Sequence, residues 1–276
     1  KVIIEKLEKE EETEGLSEKE YSVIEQILKE EDVFDEDLIS NRIEKLYNLK
    51  NYPFNALEIV PDIDEEQVAE IFTRINSKGT VLKQADFILT LLSVFWEDGR
   101  KQIDAFCKSC LIQPEKKEKE SPFNYIIEAM PNDIIRTIAG VGFNRGKMKD
   151  VYAILTGRDF STKRVSKELR EKQFEKFKTN QKIVLDNTNW HSFLKILMGI
   201  GFKSKDLISS TNNTVNSYII FLIGKINYNL DHKEIEEVIG KWFFFASLTS
   251  RYSYSPESQM ESDLNQLKEC KNKKDF

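Results

Sequence analysis

Glycine and proline are scarce in this sequence, and no apolar stretch is long. The 276 residues include 11 Gly and 6 Pro. An all-β sandwich or barrel needs turn residues at regular intervals, so this composition argues against both. No apolar run approaches the ~20 residues of a membrane-spanning helix, and no basic segment with an apolar stretch after it opens the chain. We therefore predict a mainly α, multi-helical protein without a membrane segment.

Cysteine and histidine are also few, with three Cys and two His in the whole chain. This excludes a disulfide framework and most zinc sites, and it fits a reducing cytoplasm. Cys107 and Cys110 form a single CxxC pair on a predicted helix, where packing is the expected role. His191 and His232 are isolated in sequence, so we expect both to be structural or solvated. No metal site is predicted.

Charge is unevenly distributed along the chain. Residues 1–70 contain 8 basic and 22 acidic side chains, whereas residues 144–182 contain 12 basic and 5 acidic ones, a net charge of +7. Solvated helix faces rich in Lys and Glu explain such a pattern in many proteins. The alternative is a face that binds the DNA backbone weakly, without sequence preference. The candidates for that face are Lys163, Arg164, Lys167 and Arg170.

Helical periodicity and capping signals recur through the sequence. Ser17 and Glu20 form a capping box, and Asp35 precedes a second amphipathic segment. Residues 54–60, between two prolines, are the one convincing strand, so we predict at most one small sheet element. Further helices are expected from Asp64 to Gly79 and near residues 83–96, 132–143, 148–156, 166–199, 213–226, 233–249 and 256–270, and another should carry Ile103 and Phe106.

The charged, proline-flanked segment 113–123 is the best internal boundary. It predicts one domain within residues 1–112 and a second, helical domain within 124–276. The basic stretch 144–182 lies in the second domain.

The segment from Gly140 to Lys147, GVGFNRGK, superficially resembles a phosphate-binding loop. Five residues rather than four separate its outer glycines, Met148 stands where Ser or Thr should bind magnesium, and no strand is predicted before it. We therefore reject it as a nucleotide-binding P-loop.

Polar residues follow the predicted helix that ends near Gly79. Arg74, Asn76 and Lys78 are suited to bind a phosphate, and Gly79 permits a tight reversal. The alternative is structural, with Arg74 paired to Glu70 or to Asp86 in the next helix.

The segment FTRINSKGTVLKQADF resembles the FxRxNxxGxxLxxxD motif of a family exemplified by the N-terminal domain of GmrSD-type restriction enzymes. The matching residues are Phe72, Arg74, Asn76, Gly79, Leu82 and Asp86. The preceding segment NALEIVPDIDEEQVAEI and the later stretch from Trp242 to Leu264, which contains RYS and SPE, are similar to that family too. The resemblance covers roughly residues 50–267.

The resemblance implies an N-terminal domain like the ParB partition-protein nuclease, followed by a helical region. It implies an NTP-dependent role in prokaryotic defence against foreign or modified DNA, with Mg²⁺ and NTP bound in the full-length protein. The family's nucleotide-handling DGQQR motif is absent here. It would lie upstream of Lys1, so residues 1–112 would be the C-terminal part of the ParB-like domain, and the missing N-terminal segment would be a partner. The His-dependent nuclease domain of some members is absent as well.

In the later motif we expect a structural role for Arg251, Tyr252, Ser255 and Glu257. Ser255 should cap the helix that Pro256 begins, and Glu257 or Asp263 should hold Arg251. Two hypotheses for function remain. The chain is a fragment of an NTP-dependent defence enzyme, inactive alone, or it is a helical module that binds nucleic acid or protein without chemistry.

Overall fold

The computed structural model describes residues 36–53, 71, 84–114, 121–159, 162 and 164–276. The chain divides into two compact units, Lys1–Ile59 and Val60–Phe276. Three expectations lie outside the described residues: the helix that Ser17 caps, the strand at 54–60, and the helix from Asp64 to Gly79, of which only Ile71 is described.

The described part of the first unit is a helix and a short turn. Helix α1 comprises Glu36–Asn48, and one turn of 3₁₀-helix, Leu49–Asn51, follows it. The predicted start after Asp35 is confirmed. Ile43 and Leu46 are exposed, so the described residues do not cover this face of α1.

Nine α-helices make up the described part of the second unit. Their bounds are α2 Gln84–Phe95, α3 Glu97–Leu111, α4 Pro131–Phe143, α5 Met148–Leu155, α6 Lys167–Val184, α7 Asn187–Gly199, α8 Thr211–Asn227, α9 His232–Leu248 and α10 Pro256–Glu269. The mainly α fold predicted from the sequence is confirmed. Strand pairing among the described residues is limited to one antiparallel bridge, Arg158 with Val165.

Local signals determine several helix ends. Pro131 and Pro256 each stand in the first turn of a helix, where a missing N–H costs nothing. Asp231 and Glu234 form a reciprocal capping box at the start of α9. These predicted boundaries agree with the structure to within one or two residues.

The single helix predicted over 166–199 is wrong, because two helices occupy this stretch. Leu185 ends α6, and Asp186 begins α7 by accepting a hydrogen bond from the Asn189 amide at 2.8 Å. Apolar residues repeat at helical spacing on both sides of the break, so periodicity alone does not reveal it. The local N-cap of Asp186 competes successfully with continuation of the helix.

Helix α4 is at the centre of the second unit and packs against α2, α3, α5, α6 and α8. Its Ile135, Ile138 and Ala139 are fully buried. Gly140 faces Ile219 of α8, where an added Cβ would lie 2.5 Å from the Ile219 side chain. A glycine here therefore permits α4 and α8 to approach closely.

Segment 121–130, which joins α3 to α4, is fastened to α7. The buried Trp190 donates its indole N–H to the Pro122 carbonyl at 3.0 Å. His191 Nε2 donates to the Ser121 carbonyl at 2.7 Å, which gives this histidine the expected structural role. Of the helices described, none combines the length and the apolar character that spanning a membrane requires.

Candidate nucleic-acid interface

Most of the residues predicted to bind phosphate lie outside the described part of the chain. These residues are Arg74, Asn76, Lys78, Gly79 and, from the basic stretch, Lys163. The motif residue Phe72 also lies outside the described residues. Asp86 is described, and it lies partly buried in the first turn of α2. The phosphate-binding role of the FxRxNxxG segment therefore stays a prediction.

The remaining three DNA-backbone candidates do not form one exposed face of a helix, in contrast to the prediction. Arg164 is exposed but precedes α6, in the turn where its carbonyl accepts the Asp159 amide at 2.9 Å. Lys167 is exposed at the first position of α6. The Arg170 guanidinium lies 4.5 Å from the centre of the Phe95 ring on α2, so it packs inward. Tertiary packing, which the spacing does not report, separates these side chains.

A different set of cations meets in a cleft between the end of α4, the end of α5 and the first half of α6. We call it the basic cleft. Its lining residues are Phe143, Arg145, Ile154, Arg158, Asp159, Leu169, Gln173 and Lys176. Three are cationic and one is anionic, and the apolar ones come from all three helices or their ends. Such a cleft matches a phosphate ester, with charge for the phosphate and an apolar surface for the sugar.

Two sharp turns position the cations of the basic cleft. Asn144 ends α4 in the left-handed region, at φ 51°, and directs the chain into Arg145. Gly157, at φ +80°, ends α5 just before Arg158. A Cβ on Gly157 would lie 2.4 Å from the Ser166 carbonyl oxygen, so a larger residue does not fit.

Helix α6 supplies the third cation. Ser166 caps α6, accepting a hydrogen bond from the Leu169 amide, and this fixes where the helix begins. Lys176 then reaches over Phe143, with Nζ 5.3 Å from the ring centre. Phe143 thus lies beneath a cation, which holds Lys176 at the cleft.

A carboxylate from α10 binds the loop between α4 and α5. Glu261 Oε1 accepts Arg145 Nη1 at 2.8 Å, and Oε2 accepts the backbone N–H groups of Gly146 at 2.5 Å and Lys147 at 3.4 Å. These amides stand at the start of α5, where the helix dipole favours an anion. The GVGFNRGK segment begins within the last turn of α4, so the described residues directly before it form a helix and not a strand, as expected. Its loop binds an anion that belongs to the protein itself.

The pKa of Glu261 reflects this position. Burial alone would raise it, but the hydrogen bond from Arg145 and those from the two backbone amides outweigh burial and lower the pKa below its usual value. Glu261 is therefore ionised at neutral pH. A second ion pair, Arg136 with Glu257 at 2.9 Å, joins α4 to the first turn of α10.

Arg251 is held by Asp263, one of the two partners predicted. Arg251 Nε and Nη2 donate to the two carboxylate oxygens, at 3.2 and 2.5 Å. The Tyr252 hydroxyl donates to Asp263 at 2.7 Å, and Asn216 of α8 reaches both Tyr252 and Asp263. We call Arg251, Tyr252, Asp263 and Asn216 the latch, since they join α8 and α10 to the end of α9.

Two details of the RYS–SPE segment differ from expectation. Ser255 occupies the N-cap position of α10, but its side chain accepts no capping hydrogen bond. Its backbone is left-handed, at φ 49° and ψ 55°, whereas a side-chain cap uses an extended conformation. Glu257 pairs with Arg136 rather than with Arg251. The expected structural role of the segment agrees with these contacts.

Sequence reasoning missed Asn216 and Glu261. Asn216 is fully buried in α8, just before the apolar run at residues 218–223, and a buried polar residue requires a partner. The sequence does not single it out, because its neighbours are also polar, namely Asn213, Thr214 and Ser217. Glu261 stands in a charged helix and is not singled out either. Its partner Arg145 is remote in sequence, so only the tertiary fold reveals the contact.

The cysteine pair behaves as predicted. Cys107 and Cys110 are buried and free, and burial raises the pKa of each thiol to about 12. Neither is poised as a nucleophile or metal ligand. No cluster of three or more potential metal-ligating side chains occurs among the residues that the structure describes.

Comparison with known proteins gives no relative for this chain: no protein-family model, no curated protein and no solved structure matches it.

Proposed function

We propose that this chain contacts the DNA backbone through the basic cleft, as part of a prokaryotic restriction-type defence protein. The observation that carries the proposal is that Arg145, Arg158 and Lys176, from three separate segments, line one cleft whose only anionic lining residue is Asp159. Cations from different helices and loops line the same cleft as the apolar side chains of Phe143, Ile154 and Leu169. That arrangement differs from the scattered charges of an ordinary solvated helix face.

The motifs supply the rest of the proposal. In the family that the sequence resembles, the FxRxNxxG segment belongs to a protein with NTP-dependent activity on foreign or modified DNA. In that role Arg74 and Asn76 contact the nucleotide, together with the family's DGQQR segment. The proposed site of action is the cytoplasm. The alternative is a helical module without chemistry that binds nucleic acid or protein.

The net charge of −6 opposes DNA at long range. At physiological salt the screening length is about 8 Å, so a local group of cations still attracts phosphate at contact. Three neutralised phosphates give a log–log salt slope of about −2.7, which weakens binding about 40-fold between 50 and 200 mM salt.

The test is fluorescence anisotropy with a labelled duplex at 50 and 200 mM salt. The double variant Arg158→Glu, Lys176→Glu should abolish most of the binding at 50 mM. Its control is Lys195→Glu, Lys233→Glu, which changes the net charge equally at exposed positions outside the cleft. No binding by the wild type, or equal losses in both double variants, would overturn the proposal.

A second charge-reversal variant tests how far the interface extends. The variant Arg164→Glu, Lys167→Glu shows whether the exposed cations ahead of α6 extend the interface. If they do, the salt slope becomes less negative by about 0.9 for each phosphate that is no longer neutralised.

Adding Mg–ATP or Mg–GTP separates the two functional hypotheses. Binding that responds to nucleotide, and loses that response in Arg74→Ala, supports the NTP-dependent role, whereas an unchanged affinity favours the module without chemistry.

A further inference from the structure

Arg145 takes part in two features of the fold. It lines the basic cleft, and it forms the 2.8 Å ion pair with Glu261 of α10. Its side chain is 38% exposed, whereas that of Glu261 is 11% exposed. The guanidinium can therefore reach solvent and a ligand, while the carboxylate stays in place.

Glu261 does not depend on Arg145 alone. Its Oε2 also accepts the amides of Gly146 and Lys147, and the start of α5 favours its negative charge. If Arg145 turned toward a phosphate, Glu261 would keep these hydrogen bonds. Breaking a buried ion pair is usually costly because it leaves a buried charge without a partner. The exchange avoids this cost, since the Glu261 carboxylate keeps its two amide partners.

We propose that Glu261 is a built-in competitor of DNA phosphate for Arg145 and thereby sets the affinity of the basic cleft. This inference rests on the proposed DNA-binding function and adds a regulatory contact to it. With Arg145 paired to Glu261, the cleft offers DNA two free cations. Phosphate binding draws Arg145 away from Glu261 and so weakens the contact between α10 and the α4–α5 loop. Because such coupling is reciprocal, breaking the Arg145–Glu261 contact increases DNA affinity by the factor by which DNA weakens that contact.

A second ion pair of α10 provides a control for the Glu261–Arg145 pair. Glu257 pairs with Arg136 from the same helix α4 that leads into the loop, at a similar distance, 2.9 Å. Arg136 does not line the basic cleft. Removing the charge of Glu257 therefore changes the net charge and one ion pair of α10 but leaves Arg145 held.

The experiment compares duplex affinity at 50 mM salt for wild type, Glu261→Gln and Glu257→Gln. Glutamine keeps an oxygen for the two amides but cannot form the ion pair, so Glu261→Gln should bind about fivefold more tightly or better. Glu257→Gln should differ from wild type much less. In an Arg145→Ala background, Glu261→Gln should have no effect on affinity. Circular dichroism establishes that each variant is folded.

A nuclear magnetic resonance measurement on the wild type tests the inference without relying on a variant that could fail to fold. The Arg145 Nε–H resonance, assigned with Arg145→Lys, should shift as a short duplex is added. Supporting results are this shift together with tighter binding by a folded Glu261→Gln. A folded Glu261→Gln of unchanged or weaker affinity, or an Arg145 resonance that DNA at saturation does not move, overturns the inference and leaves the proposed function standing. Failure of the wild type to bind duplex overturns both.

Discussion

Arg251 and Asp263 face each other as a two-pronged ion pair, with Asp263 buried to 3% exposure beneath the end of α9. Arg251 Nε and Nη2 each donate to one carboxylate oxygen, which is the bidentate arrangement of a strong ion pair. The Trp242 ring packs 5.4 Å from the guanidinium on another side. Asp263 thereby becomes the point at which α8, α9 and α10 are joined.

Removing Arg251 should therefore be costly. Arg251→Ala leaves the buried Asp263 carboxylate without its charge partner, and we expect a loss of about 3 kcal/mol in the free energy of unfolding. Urea denaturation measures it. Lys241→Ala, which breaks an exposed pair with Glu237, is the matched control and should cost less than ~1 kcal/mol. Similar losses in the two variants would show that the latch contributes little.

Stability should depend on the ionisation of Glu261. Because its pKa is lower in the folded chain than the ordinary value of 4.5, the unfolded chain binds the proton more tightly. The contribution is thus complete above about pH 4.5 and disappears as the pH falls through the lowered folded-state pKa. The difference in free energy of unfolding between wild type and Glu261→Gln, measured from pH 7 to pH 3, should shrink over this range. A difference independent of pH would contradict the assignment.

Gly146 should tolerate no larger residue. An added Cβ would lie 2.5 Å from the Glu261 amide nitrogen and 2.8 Å from the Glu257 carbonyl oxygen, both backbone atoms that cannot move aside alone. We expect Gly146→Ala to destabilise the fold by about 1–3 kcal/mol, as other overpacked sites do. Gly199→Ala, at a helical position where the nearest atom is 3.8 Å away, should instead stabilise by about 0.5–1 kcal/mol. Thermal melts followed by circular dichroism compare the two.

The three thiols should differ in reactivity. Burial raises the pKa of Cys107 and Cys110 to about 12, whereas Cys270 is partly exposed. Because the thiolate is the reactive form, a thiol reagent at pH 8 should modify Cys270 alone in the native protein and all three in denaturant. Mass spectrometry counts the modified sites. Rapid labelling of Cys107 in native protein would contradict the buried packing of α3.

The fold class and most helix boundaries could be predicted because their signals are local. Proline in the first turns of α4 and α10 and the Asp231 cap of α9 act within a few residues, which the sequence displays directly. The break at Asp186 shows the limit of this reasoning. Its capping signal is as local as the others, but apolar periodicity on both sides concealed it.

The candidate site could be predicted only in part. The basic stretch 144–182 contains all three cations of the basic cleft, but which cations of that stretch converge depends on packing. Arg170 turns toward Phe95 on α2, while Lys176 turns toward Phe143 on α4, although both belong to one helix. Contacts between remote residues, such as Arg145 with Glu261, follow from the assembled fold rather than from spacing. The Arg251 partner was among the two predicted because Asp263 lies only 12 residues away in sequence.

The close packing of Gly140 against Ile219 has a consequence for synthesis on the ribosome. The side chain that covers this part of α4 emerges about 80 positions later, which at ~5–20 residues per second is about 4–16 s. During that interval the part of α4 around Gly140 and Val141, which packs against Ile219, has no α8 to cover it. Nascent chains arrested before α8 should therefore expose this part of α4 to chaperones, and release should coincide with emergence of the segment around Ile219.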